Sequence, residues 1–83
     1  MQTTPLCLAR RVGQIRRELF GEHGAPVLAE RLNLPSRTWM NFESGVTIPA
    51  SVLLHFMVIT RAEPDWLYSG HGRTYRVASE GGR

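Results

Sequence analysis

The chain has 83 residues, which suffices for one small domain and excludes a two-domain enzyme. Hydrophobic residues make up 42% and charged residues 20%, ordinary values that exclude wholesale disorder and a fibrous structure. All ten basic residues are arginine, and against seven acidic residues they give a formal net charge of +3 at pH 7. This charge permits nucleic-acid binding without establishing it, because codon bias in a GC-rich genome also favours arginine.

Neither the cysteine content nor the apolar segments indicate export or membrane insertion. Cys7 is the single cysteine, so no internal disulfide can form and a reducing compartment is expected. The segment from Met1 to Leu8 is too polar and short for a signal peptide, and the apolar stretch Val52 to Ile59 is far shorter than the ~20 residues of a membrane span. We therefore expect a cytoplasmic protein.

The first two predicted helices carry apolar residues at helical spacing. Thr4 and Pro5 suit the cap and first position of helix one, and Gly21 suits its end. Its apolar stripe consists of Leu8, Val12, Ile15 and Leu19. Helix two is predicted to open at Pro26 and to stop near Asn33.

Helices three and four are predicted on either side of a short loop. Helix three runs from Ser36 to Glu43, and Gly45 suits its left-handed stop. Pro49 opens helix four, which is apolar almost all round. The face predicted to be buried consists of Leu53, Phe56, Met57 and Thr60. The apolar residues on the flanks and back of this helix therefore require a second partner.

A fifth helix is predicted from Pro64 to Gly70, so the chain is predicted to be all-α with five short helices. Residues 1–70 form the predicted domain, and residues 71–83 form a basic, glycine-bearing tail. Thr74 to Val77 have mild strand character and could pair across a two-fold axis, whereas a disordered tail explains the same composition.

The short turn between helices two and three is typical of a helix-turn-helix. The chain contains, in order, Leu28-Ala29, Leu32, Asn33-Leu34, Thr38-Trp39, Glu43-Ser44-Gly45 and Pro49. In these residues it resembles the lambda-repressor-like helix-turn-helix domains of the XRE/Cro class. Ile48-Pro49-Ala50 and the segment Trp66 to Gly72 are similar to the phage CI-repressor branch. The resemblance spans Val12 to Gly72 and implies a sequence-specific, DNA-binding transcriptional regulator.

The resemblance also implies where DNA is contacted. The groove-facing positions fall on Ser36, Arg37, Met40 and Asn41, and the phosphate-facing positions on Ser44, Val46 and Thr47. Arg37 suits guanine, Asn41 suits adenine and Met40 suits a thymine methyl, whereas Val46 offers only its backbone amide. The structural alternatives are a helix cap for Ser36 and exposed polar surface for Arg37 and Asn41.

Three positions depart from the family pattern. Asn33 replaces a glycine of the turn, which is tolerable because asparagine enters the left-handed region. Pro35 replaces a Ser or Thr cap and has no side-chain oxygen. Ala25 replaces a glutamine that touches DNA, so one polar contact of the expected interface is missing.

In the family a helix-one arginine also pairs with the glutamate at Glu43, and Arg16 matches this arginine best, with Arg17 next.

The charge distribution favours binding by two subunits. Residues 25–49 carry no net charge, while residues 1–24 and 71–83 carry +2 each and residues 50–70 carry −1. One subunit would neutralise few phosphates, and a homodimer would space two recognition helices ~34 Å apart on a two-fold site. The back of helix four and the tail are the candidate dimer surfaces.

An enzyme is not expected. The side chains of Cys7, His23, His55 and His71 lack metal-ligand spacing, and no glycine-rich phosphate loop is present. We therefore expect double-stranded DNA as the partner, with no cofactor, metal or membrane. The alternative is a protein-binding adaptor or antitoxin-like module on the same fold, which the neutral helix-turn-helix and Ala25 also fit.

Overall fold

The computed structural model of the chain describes residues 5–76, which form five α-helices. They are α1 (Pro5–Phe20), α2 (Ala25–Arg31), α3 (Ser36–Glu43), α4 (Ala50–Thr60) and α5 (Pro64–Ser69). The prediction of an all-α fold with five short helices is confirmed. The predicted cap Thr4 and the tail from residue 77 lie outside the described residues.

All helices but one are followed by a glycine or asparagine with a positive φ angle. Gly21 and Gly70 adopt positive φ angles of 89° and 80° directly after α1 and α5. Asn33 takes the left-handed conformation after α2, as its residue type allows, with φ 59°. Arg61 also has a positive φ of 63°, where it ends α4. Arginine rarely adopts this conformation, so the sequence carries no signal for it.

The turn between α1 and α2 requires a glycine at position 24. A Cβ atom on Gly24 would lie 2.1 Å from the carbonyl oxygen of Phe20, a distance that no side chain can occupy. The Arg31 guanidinium lies 5.9 Å from the centroid of the Phe20 ring, within reach of a cation–π contact. The backbone at Gly24 thus lies directly against the end of α1, and the cation–π contact joins the end of α2 to the same residue of α1.

The core is centred on Trp39 of α3, which is fully buried. Its ring stacks on Phe56 of α4 at 5.3 Å and meets Phe42 edge-on at 6.1 Å. The other largest fully buried side chains are Val12, Ile15, Leu28 and Leu67. All five helices therefore contribute to one core, and aromatic contacts join α3 to α4.

The buried face of α4 is the predicted one. Leu53, Phe56 and Thr60 are buried, and Met57 is half-buried against them. On the opposite side Leu54 is 60% exposed and Val58 68% exposed. The apolar residues on the back of this helix, for which the sequence predicted a second partner, thus lie at the surface of the single chain. Within the described residues no helix combines the length and apolar character needed to cross a membrane.

Residues 74–76 lie against the link between α4 and α5. Ala62 and Tyr75 form an antiparallel β-bridge, flanked by hydrogen bonds from the Glu63 amide to the Thr74 carbonyl (2.8 Å) and from the Arg76 amide to the Arg61 carbonyl (2.7 Å). These residues therefore pair as an isolated β-bridge within one chain. Pairing across a two-fold axis stays a prediction, and its last residue, at position 77, lies outside the described range.

Candidate nucleic-acid interface

The turn from α2 to α3 is held by backbone hydrogen bonds at the end of α2. The Asn33 amide donates to the Glu30 carbonyl (3.1 Å), and the Leu34 amide donates to the Ala29 carbonyl (2.9 Å). Together with the left-handed Asn33, this is a Schellman motif, in which asparagine replaces the usual glycine. The buried methyl group of Ala29 permits the close crossing of the two helices.

α3 has one buried side and one exposed side. Trp39 and Phe42 face the core, whereas Arg37, Met40 and Asn41 are exposed, with Met40 at 55%. Residues that follow one another by three or four positions share a helix side, so these three exposed side chains stand together. Three of the four predicted groove-facing residues are thereby brought together on one surface.

Ser36, the fourth predicted groove-facing residue, begins α3 and is half-buried. Pro35 occupies the cap position in an extended conformation, and no side chain caps the helix. The alternative role of Ser36 as a helix cap is therefore not the one the structure shows. Its position in the first turn places it at the end of the exposed side rather than in its middle.

The loop after α3 uses the Val46 amide within the chain. Gly45, with φ 115°, continues the chain from α3, and the Val46 amide donates to the Asn41 carbonyl at 3.1 Å. That amide was the only polar group that Val46 offered to a phosphate, and it is used inside the chain. The Ser44 hydroxyl donates to the Met40 carbonyl at 3.0 Å and is exposed, and Thr47 is exposed as well. Both hydroxyls keep acceptor or donor capacity toward solvent.

Ala25 lies in the core and not on the exposed surface. It is the first residue of α2, it is only 6% exposed, and it belongs to the main hydrophobic cluster. Its methyl group therefore offers no side-chain contact to a ligand at this surface, and the exposed apolar residue of that turn is Val27.

Arg16 and Glu43 form a largely buried, bidentate ion pair between α1 and α3. The Nε and Nη2 atoms of Arg16 each lie 2.9 Å from a carboxylate oxygen of Glu43. The Nη1 atom donates to the carbonyls of Gly21 (2.8 Å) and Glu22 (2.9 Å), so the same guanidinium also holds the turn after α1. Of the two arginines that the resemblance allowed, Arg16 is the one in contact.

The Glu43 carboxylate has a third donor, the indole N–H of Trp39. Burial raises the pKa of Glu43, but the hydrogen bonds from Arg16 and Trp39 favour the ionised form more strongly, so its pKa is lowered overall. The sequence reasoning missed this indole contact. The four-residue spacing of Trp39 and Glu43 on a helix was the available signal.

A metal centre is not found in the described part of the chain. Among residues 5–76, no three side chains of the His, Cys, Asp or Glu type lie close enough together to hold an ion. Comparisons with protein-family models, with curated proteins and with solved structures find no match. The exposed side of α3 is therefore selected as the candidate site by its own geometry.

Proposed function

We propose that the chain is a sequence-specific DNA-binding regulator of the lambda-repressor-like helix-turn-helix type, a repressor that binds a two-fold operator as a homodimer. The observation that carries the proposal is the exposed side of α3, where Arg37, Met40 and Asn41 stand together directly after a tight turn from α2. An α-helix with side chains is about 10–12 Å wide, and the major groove of B-DNA is ≈ 12 Å wide.

The chemistry of these three side chains suits direct readout of base pairs. The forked guanidinium of Arg37 matches two acceptors of guanine, and the amide of Asn41 matches the donor and acceptor of adenine. Met40 supplies an exposed apolar group for a thymine methyl. Ser44 and Thr47 offer hydroxyls to the phosphates next to the groove.

The dimer is proposed because one neutral helix-turn-helix would bind weakly. Leu54 and Val58 on the outer side of α4 are candidates for the subunit contact, since both are apolar and more than half exposed. Sedimentation without DNA tests this part of the proposal. A chain that remains monomeric at high micromolar concentration would exclude a stable dimer.

The test of DNA binding is a mobility-shift series with random duplex DNA over a range of salt concentrations. We expect binding at low salt and loss of affinity in Arg37→Ala, with a smaller loss in Arg73→Ala, an exposed arginine beside α5. Selection of bound sequences from a random pool would then identify the operator. Equal losses in the two variants would contradict groove readout by Arg37.

The second candidate function is a protein-binding adaptor on the same fold. Val27, Met40 and Val46 are half-exposed apolar residues on α2, on α3 and in the following loop, and they suit a protein partner. A folded sample that binds no duplex DNA at low salt would favour this function over the first.

A further inference from the structure

The edge of α1 that borders α3 carries a second arginine beside the ion pair. A Cβ atom placed on Gly13 would lie 3.4 Å from the Oε1 atom of Glu43 and 3.5 Å from the Nη1 atom of Arg17. The Glu43 carboxylate and the Arg17 guanidinium therefore both lie beside Gly13. Arg17 is exposed, unlike Arg16.

Among residues 5–76, the Arg17 guanidinium makes no hydrogen bond to Glu43 and helps to lower the pKa of that carboxyl only through its charge. The carboxylate receives hydrogen bonds from two groups of Arg16 and from the Trp39 indole. Within residues 5–76, Arg17 donates no hydrogen bond, so its fork is available to a ligand. Arg16, by contrast, uses all of its nitrogen atoms on the carboxylate and on two carbonyls of the turn.

Glu43 shows on which side of α3 the Arg17 guanidinium lies, because both groups are beside Gly13. Glu43 follows Met40 by three residues, so the two are neighbours on the helix surface, and Glu43 lies at the border between the buried and exposed sides. Arg17 thus stands at one flank of the exposed side that carries Met40. A helix lying in the major groove has a phosphate strand along each flank.

We propose that Arg17 binds a backbone phosphate of the DNA strand that borders α3 in the groove. This inference rests on the proposed function, because it requires the exposed side of α3 to enter the groove. The guanidinium fork matches two phosphate oxygens, and it supplies positive charge beside a helix-turn-helix that has no net charge of its own. The contact fixes the position of the helix and carries no sequence information.

The experiment measures the affinity of the full chain for a labelled random duplex, and for a selected sequence, between about 50 and 200 mM salt. The variants are Arg17→Gln, Arg17→Lys and, as the matched control with the same charge change, Arg73→Gln. Arg73 lies with Glu63 and Asp65 around an open cleft beside α5, and Arg11 of α1 donates a hydrogen bond to the Leu67 carbonyl of α5 at 3.0 Å. Thermal unfolding establishes that each variant is folded.

We expect Arg17→Gln to reduce the slope of log K against log salt by about 0.9 per bound subunit, equally for both DNA sequences. Arg17→Lys should keep the slope, because lysine also neutralises a phosphate, and Arg73→Gln should change it less. A slope in Arg17→Gln equal to that in Arg73→Gln would overturn the assignment of Arg17 while leaving DNA binding in place. Absence of wild-type binding at low salt would overturn the proposed function itself.

Discussion

The eight residues of α3 are divided between an inner side that packs in the core and an outer side that is exposed. On the inner side, Trp39 is fully buried between Phe42 and Phe56, and Glu43 accepts hydrogen bonds from Arg16 and from the indole. On the outer side the side chains are exposed and contribute nothing to the core. A helix of two turns thus separates stability from the proposed recognition of DNA.

This difference predicts which substitutions change stability and which change binding. Changes on the inner side remove buried contacts and lower the free energy of unfolding, and they reduce binding only as far as they unfold the chain. Changes on the outer side leave stability within about ±0.5 kcal/mol, as is usual for surface positions, and alter binding.

The largest effect is expected for Trp39→Ala. Removing the ring leaves a cavity against Phe42 and Phe56 and withdraws the indole donor from Glu43, so we expect a loss of about 3–5 kcal/mol in the free energy of unfolding. Urea denaturation followed by circular dichroism measures it. Trp39→Phe keeps an aromatic ring and should cost clearly less. Equal free energies of unfolding for the alanine variant and the wild type would show that Trp39 does not stabilise the core.

Glu43→Gln should destabilise the chain by about 3 kcal/mol, since the glutamine leaves the buried Arg16 guanidinium without its counter-charge. The measurement is the same denaturation experiment, with Glu30→Gln, an exposed glutamate of α2, as the matched control. A change within ~0.5 kcal/mol for Glu43→Gln would show that the pair does not stabilise the fold.

The stabilisation by Glu43 should disappear in acid. Its pKa is lowered in the folded chain, so its contribution is present above the ordinary glutamate pKa of about 4.3 and is lost as the pH falls through the lower, folded value. The difference in stability between wild type and Glu43→Gln should therefore shrink below about pH 4. Denaturation curves collected from pH 7 downward measure it. A difference that stays constant with pH would argue against an ionised Glu43.

On the outer side, Arg37→Ala and Asn41→Ala should each weaken binding to a selected operator by about 1–3 kcal/mol and relax specificity at one base pair. Their stabilities should match the wild type within about ±0.5 kcal/mol. Fluorescence anisotropy with operator and random duplexes provides the readout. Unchanged discrimination between the two duplexes would remove both residues from base readout.

The smallest effect is expected for Gly13→Ala, next to the inner-side ion pair. The added Cβ would meet Glu43 and Arg17 at 3.4 and 3.5 Å, ordinary contact distances, and alanine is the better helix residue. We expect a gain of about 0.5–1 kcal/mol. Gly24→Ala is the contrasting glycine variant and should be destabilising, because of the Phe20 carbonyl at 2.1 Å. A clear loss in Gly13→Ala would mean that α1 and α3 need to approach more closely than these distances indicate.

The elements of the fold were predictable because their signals are local. The spacing of Trp39 and Phe42 and the glycine after Ser44 defined α3, and its bounds in the structure are the predicted ones, Ser36–Glu43. The buried face of α4 also followed from helical periodicity. The positions Arg37 and Asn41 were implied by the family resemblance, and they are exposed on the side of α3 opposite its apolar pair.

Other features were not predictable because they join segments far apart in the chain. The left-handed Arg61 ends α4, and its carbonyl accepts the Arg76 amide, so its conformation depends on residues that follow α5. The bond from the Val46 amide to the Asn41 carbonyl is local, but it too depends on the backbone conformation after α3 and not on residue type. Such bonds depend on how the backbone closes at each helix end.

The sequence alone thus specified five helices, their approximate ends and the buried sides of α3 and α4, since periodicity, proline and glycine act over a few residues. The predicted apolar stripe of α1 was right only in part, because Leu19 is 49% exposed. Tertiary packing decided which arginine pairs with Glu43, a contact across 27 residues, and placed Ala25 in the core. It also joined Tyr75 to Glu18 across 57 residues. These choices depend on distances between helices, and residue type and spacing carry no information about those distances.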